Sequence, residues 1–288
     1  MKVGFVNIFG KPNAGKSTLL NALIGEKLAI VSSKVQTTRH RIKGILTDKN
    51  YQVIFSDTPG IIEPKYLLHE KMMQAVKNAL EDADLALLLV DIKDDWSKSD
   101  KIFSALKLKV PAIVVLNKID LVNKEKLAEA EKFFGEKPYY KKIISISATS
   151  GINKQKFIKP ILEFLPEGEP FYGEDEMTNL NTRFFVSEII REKIYELFHE
   201  EIPYQAAVLI NEFKEKKSLV KISADVIVQR ETQKGILLGE GGKMIKKLGT
   251  AARKEIEKFL EQKIFLELFV KVKPNWRENE LQLKEYGY

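Results

Sequence analysis

Short apolar runs alternate with amphipathic stretches through the first half of the chain. Val3–Phe9, Gln52–Ser56, Leu85–Val90, Ala112–Leu116 and Ile143–Ile146 read as buried strands. Between them Ser17–Ile24, Leu68–Leu80, Ile102–Leu108, Lys126–Phe134 and Phe157–Phe164 read as helices. Alternation of this kind predicts an α/β domain, a mostly parallel sheet with helices on both faces. Arg41–Thr47 predicts one added strand, joined to the next through Asp48-Lys49-Asn50 and therefore antiparallel to it.

The pattern changes after PEGEPFYGEDEM, where prolines, glycines and acidic residues crowd together. The expected organisation is a domain over 1–165, a linker over 166–178 and a smaller α+β domain over 179–288. In that second domain Phe185, Ile189, Ile190, Ile194 and Leu197 form a helical stripe within Thr182–Phe198. Ala206–Glu212 and Val220–Val228 read as strands joined by a polar turn at Lys214–Ser218. A glycine turn at Gly239–Gly242 precedes a helix with Ile245, Leu248, Ala252, Ile256 and Phe259 on one side. Ile264, Leu266, Leu268, Val270 and Val272 then alternate as a strand should, giving the order α-β-β-α-α-β.

Composition narrows the setting. The 288 residues exceed what one ordinary core needs, and no run of about eighteen apolar residues exists to span a membrane. No secretory signal opens the chain, and cysteine is absent, which excludes disulfides and thiolate metal sites and fits a reducing cytosol. The net charge of +7 is spread over both halves. Only Lys234 to Lys258 concentrates it, with seven basic and three acidic residues, and that favours an anionic partner there.

Gly10-Lys11-Pro12-Asn13-Ala14-Gly15-Lys16-Ser17 follows the first strand and opens the first helix. Glycines at those places let backbone amides point inward around phosphates, and the helix directs its positive end at them. Gly10, Lys11, Asn13, Ala14, Gly15, Lys16, Ser17 and Thr18 are therefore the expected phosphate-binding residues, with Lys16 reaching the β- and γ-phosphates and the Ser17 hydroxyl on Mg²⁺. Asp57-Thr58-Pro59-Gly60 closes the third strand; Asp57 can hold the metal through water and the Gly60 amide can meet the γ-phosphate.

Asn117-Lys118-Ile119-Asp120 stands at the end of a later strand. A carboxylate there accepts hydrogen bonds from the guanine N1–H and N2–H₂ edge, and adenine has no such donor pair, so Asp120 would select guanine. Lys118 would cover the base plane, Asn117 would tie this loop to the phosphate loop, and Ser147-Ala148-Thr149 would offer the Ala148 amide to the guanine oxygen. Where signalling GTPases carry a water-orienting glutamine after this Asp-x-x-Gly, the chain has Ile61, so slow intrinsic hydrolysis is expected. His40 lies in a polar loop, and His69 and His199 read as surface helix residues. Trp96 and Trp276 suggest no role.

These motifs, together with Gln36-Thr37-Thr38-Arg39-His40-Arg41, resemble the Era family within the translation-factor-related P-loop GTPases, and the likeness covers nearly the whole chain. The resemblance implies a threonine of the Thr37-Thr38 pair on Mg²⁺ and the γ-phosphate, with Thr38 favoured, and Lys16, Thr38 and Gly60 as the catalytic set. It also implies a K⁺ site at Asn13. The second domain resembles a type II KH domain, whose G-x-x-G turn clamps a single strand. Ile236, Gly239, Glu240, Gly241, Gly242, Lys243, Lys246 and Lys247 are the RNA-binding residues it implies, with acidic Glu240 a departure from the usual basic loop.

By the same resemblance the ligands are GTP, GDP and Mg²⁺, and the partner is the 3′ end of 16S rRNA in the small ribosomal subunit. The expected setting is cytoplasmic, with peripheral membrane contact, and the protein monomeric. Two other readings stand beside this one: an RNA-binding checkpoint that senses GTP:GDP levels with incidental hydrolysis, and a membrane-peripheral signalling GTPase.

Overall fold

The computed structural model describes residues 1–32, 34–216 and 219–288. They divide into two compact units, Met1–Pro64 with Lys71–Asn179 and Lys65–Glu70 with Leu180–Tyr288.

The first unit is built from β1 (Lys2–Gly10), α1 (Lys16–Ile24), β2 (Ile42–Asp48), β3 (Tyr51–Asp57), α2 (Leu67–Glu81) from Lys71 onward, β4 (Leu85–Asp91), α3 (Trp96–Ala105), β5 (Ala112–Asn117), α4 (Lys124–Gly135), β6 (Lys142–Ser145) and α5 (Lys154–Leu162). The sheet order is β2-β3-β1-β4-β5-β6. All neighbours are parallel except β2 and β3, where Ile42 faces Asp57 and Asp48 faces Tyr51. Both faces of β4 and β5 are covered, which is why these strands read as unbroken apolar runs. The order brings the C-terminal ends of β1, β3, β4 and β5 to one edge, where ligands of open parallel sheets bind.

α3 differs from its expected span of Ile102–Leu108. It starts at Trp96 because the Asp95 carboxylate caps it, accepting from the Lys98 amide at 3.1 Å. Its polar first turn, WSKS, carries no apolar repeat to announce it.

The segment expected as a linker is strapped to the first unit. Val3 donates its amide to Pro166 O (3.0 Å), Gly168 to Met1 O (3.0 Å) and Ile45 to Met177 O (2.8 Å). The wholly buried Gln52 side chain accepts from the amides of Phe171 (2.8 Å) and Tyr172 (3.0 Å) and donates to Tyr172 O (2.8 Å). Prolines and glycines did prevent regular structure here, but the backbone amides still found partners.

The second unit comprises α6 (Thr182–Leu197), α7 (Ile202–Gln205), β7 (Ala207–Lys216), β8 (Leu219–Val228), α8 (Glu231–Leu238), α9 (Lys243–Leu260), β9 (Ile264–Val272) and α10 (Glu280–Glu285). Its sheet runs β7-β8-β9, antiparallel then parallel. β7 reaches Lys216 and β8 begins at Leu219; Lys217 and Ser218 of the turn expected at Lys214–Ser218 lie outside the described residues. The α6 stripe, Leu248, Ala252 and Ile256 of α9 and the inward residues of β8 make the core.

Two elements escape the hydrophobic pattern, α7, a single turn with Pro203 in it, and α10. Trp276 has a role after all. It is fully buried, donates Nε1–H to Gln205 O at 3.0 Å and packs against Tyr286 and Tyr288, anchoring the C-terminal segment. His69 is also not a surface residue; it is buried with its ring 3.7 Å from that of Tyr66. His199 is exposed but lies beyond the end of α6.

Candidate functional site

The loop between β1 and α1 curls around its own lysine. Gly15 has φ 99°, and a side chain there would run into the Asn117 amide, so only glycine lets the loop pass this close. The buried Lys16 ammonium donates to Gly10 O (3.2 Å) and Lys11 O (3.1 Å). Burial lowers its pKa to about 8, against the opposing pull of Asp57. It sits in a cleft of ≈ 340 Å³ lined by Asn13, Ser17, Thr18, Thr38 and Gly60 among others.

Three polar groups from separate elements converge in that cleft. Ser17 Oγ, on the first turn of α1, donates to Asp57 Oδ2 at 2.6 Å and lies 2.8 Å from Thr38 Oγ1. Thr38 Oγ1 donates to the same Asp57 oxygen at 3.2 Å. The other carboxylate oxygen, Asp57 Oδ1, is buried with no hydrogen-bond partner among the described residues. Burial raises the Asp57 carboxyl above the ordinary range, while Lys16, Ser17 and Thr38 work against that rise. Of the threonine pair only Thr38 joins this cluster, for the Thr37 hydroxyl donates to Lys34 O at 2.8 Å. Ile61 donates its amide to Gly10 O at 3.2 Å, and its side chain packs on the apolar core around Leu88 and Val90.

Asn117 joins the two ends of the cleft. Its Nδ2 donates to Ala14 O at 2.9 Å and its Oδ1 accepts from the Ala148 amide at 3.0 Å. One buried side chain thus fixes the phosphate loop, the end of β5 and the Ser147–Thr149 loop together. Lys118 Nζ donates to Asn13 O (2.9 Å) and to Asp91 Oδ2 (2.6 Å). Asp120 sits exposed in the 3₁₀ turn that follows. Ser147 Oγ accepts from the Ser150 amide at 3.2 Å and lies 3.3 Å from Thr149 Oγ1, shaping the loop that presents Ala148 N.

Lys11 contributes its backbone to the loop, its carbonyl accepting from Lys16, while its Nζ is paired with Asp94 at 2.8 Å. Asp91, which orients Lys118, was missed; its signal is an acidic residue ending β4 in register with Asn117.

In the second unit the turn after α8 holds Gly239, Gly241 and Gly242 at positive φ. A side chain on Gly241 would meet nothing within 4 Å, so its backbone is open on the outer side. Glu240 pairs with Lys243 at 3.7 Å, both highly exposed, so the acid is partly neutralised from within the turn. Ile236 is 49% exposed beside this turn. Lys246 and Lys247 are exposed on α9. Sequence reasoning missed the adjoining groove between α9 and β9, ≈ 360 Å³, to which Thr250, Arg253, Leu266 and Leu268 contribute. The inward alternation of β9 was its available signal.

Residues 5–118 match the model of the 50S ribosome-binding GTPase family, and residues 201–277 match that of the KH domain. The GTPase Era of Geobacter sp. (strain M21) is 45% identical over 288 residues, spanning 99% of this chain and 97% of that one. A crystal structure of Era in complex with MgGDPNP and nucleotides 1506–1542 of 16S ribosomal RNA matches with TM-score 0.95 and 42% identity, over 100% of this chain and 99% of that one. A variant of Aquifex aeolicus Era bound to GDP·AlF4⁻ also has TM-score 0.95, at 41% identity over 100% and 99% of the chains. Fold and site together define a P-loop GTPase domain followed by a KH domain. The chain belongs to the Era family of GTPases. Among the described residues no helix is long and apolar enough to cross a membrane.

Proposed function

We propose that this GTPase binds GTP with Mg²⁺ in the Lys16–Thr38–Asp57 cleft and binds the 3′ end of 16S rRNA through the second unit. The work is done in the cytoplasm during small-subunit assembly, with hydrolysis resetting the state. The convergence of Ser17, Thr38 and Asp57 carries this reading. Three oxygens from three segments meet, and one buried carboxylate oxygen has no hydrogen-bond partner among the described residues. Hard oxygen donors of this kind suit Mg²⁺, with Ser17 and Thr38 as direct ligands and Asp57 acting through water. Bound there, the metal supplies charge neutralisation for the β- and γ-phosphates. Lys16 adds a second positive charge, and the Gly60 amide is the γ-phosphate donor. Because Thr38 arrives from a loop, a γ-phosphate that holds it distinguishes GTP from GDP, the basis of a switch.

At the base end, Asp120 takes the guanine edge, Ala148 N the guanine oxygen, and Asn117 and Lys118 support them. Ile61, after Gly60, has no side-chain amide with which to orient water, so intrinsic turnover is slow. A K⁺ held by Asn13 would add charge beside the phosphates. Turnover is then expected to be several-fold faster in KCl than in NaCl at equal ionic strength; equal rates would remove the K⁺ site at Asn13.

In the RNA reading, the Gly239–Gly242 turn clamps the backbone, Lys243, Lys246 and Lys247 add charge, and Ile236 lies under a base. Gly241→Asp tests it. The site is open, so the cost to the fold is limited to backbone strain of about 1 kcal/mol. A carboxylate in the clamp repels phosphate. Affinity for an oligonucleotide of the 16S 3′ end is expected to fall at least about tenfold by anisotropy, as the loss of one or two phosphate contacts implies, while GTP binding is unchanged. An undiminished RNA affinity would place the RNA elsewhere.

A further inference from the structure

Three residues beyond Thr38, the Arg41 guanidinium lies across three adjacent strands. Its Nη1 and Nη2 engage Asp82 Oδ2 and Oδ1 at 2.5 and 2.8 Å, a two-pronged pair. Its Nε and Nη2 donate to Ser56 Oγ at 3.1 and 3.0 Å, and Nη2 also reaches Asn7 Oδ1 at 3.2 Å. Asn7, wholly buried in β1, completes the network by donating to Ala79 O (2.5 Å) and Asp82 Oδ1 (2.9 Å). The arginine therefore joins the start of β2 to β3, β1 and the turn after α2.

The placement matters for the nucleotide cleft. β2 begins at Ile42, directly opposite Asp57, and Ser56 is the residue before that carboxylate. Arg41 thus fixes the chain just after Thr38 and just before Asp57 with one planar group. Were this end of the loop free, residues 38–41 could peel away from β3, and Thr38 would have to be recaptured at an entropic cost each time it bound.

We propose that Arg41 is a positioning residue for the GTP state: with Asp82 and Asn7 it anchors the C-terminal hinge of the Thr38 loop, so that the Thr38 hydroxyl stays within reach of Ser17 and Asp57. The inference rests on the reading of Thr38 as a Mg²⁺ and γ-phosphate ligand. GDP lacks the γ-phosphate that Thr38 recognises, so the clamp contributes to GTP affinity and not to GDP affinity.

The test compares Arg41→Gln, Arg41→Lys, Asp82→Asn and Thr38→Ala in the full chain, by calorimetry with a non-hydrolysable GTP analogue and with GDP, each across a Mg²⁺ titration. Arg41→Gln is expected to weaken the analogue about tenfold, the low end for losing an outer-shell partner of a metal site, and to leave GDP within about twofold. Its half-saturating Mg²⁺ rises only with the analogue. Asp82→Asn moves in the same direction, and Arg41→Lys recovers part of the loss, because an ammonium keeps the charge without the fork. If Arg41→Gln does not fold, Asp82→Asn decides the matter. Equal losses for both nucleotides would mean a general scaffold role and overturn the proposal, as would no loss where Thr38→Ala shows one. A Thr38→Ala protein that still prefers the analogue as wild type does would instead sink the reading of Thr38 itself.

Discussion

Asp120→Asn is expected to lower GTP affinity by about a thousandfold and to admit XTP in its place, by the logic that a site built around paired hydrogen bonds rejects the ligand that leaves them unmade. The carboxylate accepts from both N1–H and the N2 amino group of guanine. An asparagine amide offers one acceptor and one donor, so its NH₂ is set against the guanine NH₂ and two donors confront each other. Xanthine carries an oxygen at C2, and the same amide fits it with both bonds made. The substitution should leave the fold intact. Asp120 is exposed, and the bonds that shape the loop belong to Asn117 and Lys118, which donate to Ala14 O and Asn13 O. The measurement is competitive binding of GTP, XTP and ATP to wild type and variant. Retained GTP preference in the variant would mean that guanine is read by backbone amides alone.

Why some parts of the site could be read from the chain and others could not follows from how each part is encoded. The phosphate loop is local: eight consecutive residues and the helix after them contain everything it needs. Asn117 and Asp120 are local too, since each strand end supplies its own short motif. The sheet order then does what no motif states, carrying Ala14, Asn117 and Ala148 together from places more than thirty residues apart.

Arg41, Asp82 and Asn7 were invisible as a unit because they are separated in sequence and meet only through the β2-β3-β1 order. The pair of Lys11 with Asp94 is non-local in the same way, for Asp94 belongs to a loop whose course the pattern does not define. In the second unit, α9 and β9 were clear from periodicity, but the groove between them depends on which residues of each face the gap. The strap over 166–178 was not legible, because composition reports what a segment cannot form, not whether a distant Gln52 will hold it.

Lys16→Met is expected to abolish nucleotide binding while making the nucleotide-free protein more stable, two effects of opposite sign from one group. Burial lowers the Lys16 ammonium to about 8 from 10.5, so the cleft disfavours its charged form. At 1.36 kcal/mol per pH unit that displacement amounts to about 3 kcal/mol at neutral pH. Methionine fills a similar volume with no charge. It forfeits the bonds to Gly10 O and Lys11 O, and a net gain of about 2 kcal/mol remains once that loss is set against the relief. The pH dependence has a definite sign. Because the folded value lies below the unfolded one, the native state binds fewer protons than the unfolded chain between about pH 8 and 10.5. Stability of the nucleotide-free wild type should therefore receive from this group a rise with pH across that window, and the variant should lack it. Urea unfolding at pH 7, 8.5 and 10 without nucleotide measures both the offset and its disappearance. A variant less stable than wild type at pH 7 would show that the loop carbonyls gain more from the ammonium than its burial costs. With triphosphate bound the balance reverses, since the phosphate charge removes the reason for the lowered pKa. The cost of burying the Lys16 charge is then relieved on binding, which is how a site that destabilises its own nucleotide-free form can hold an anion tightly.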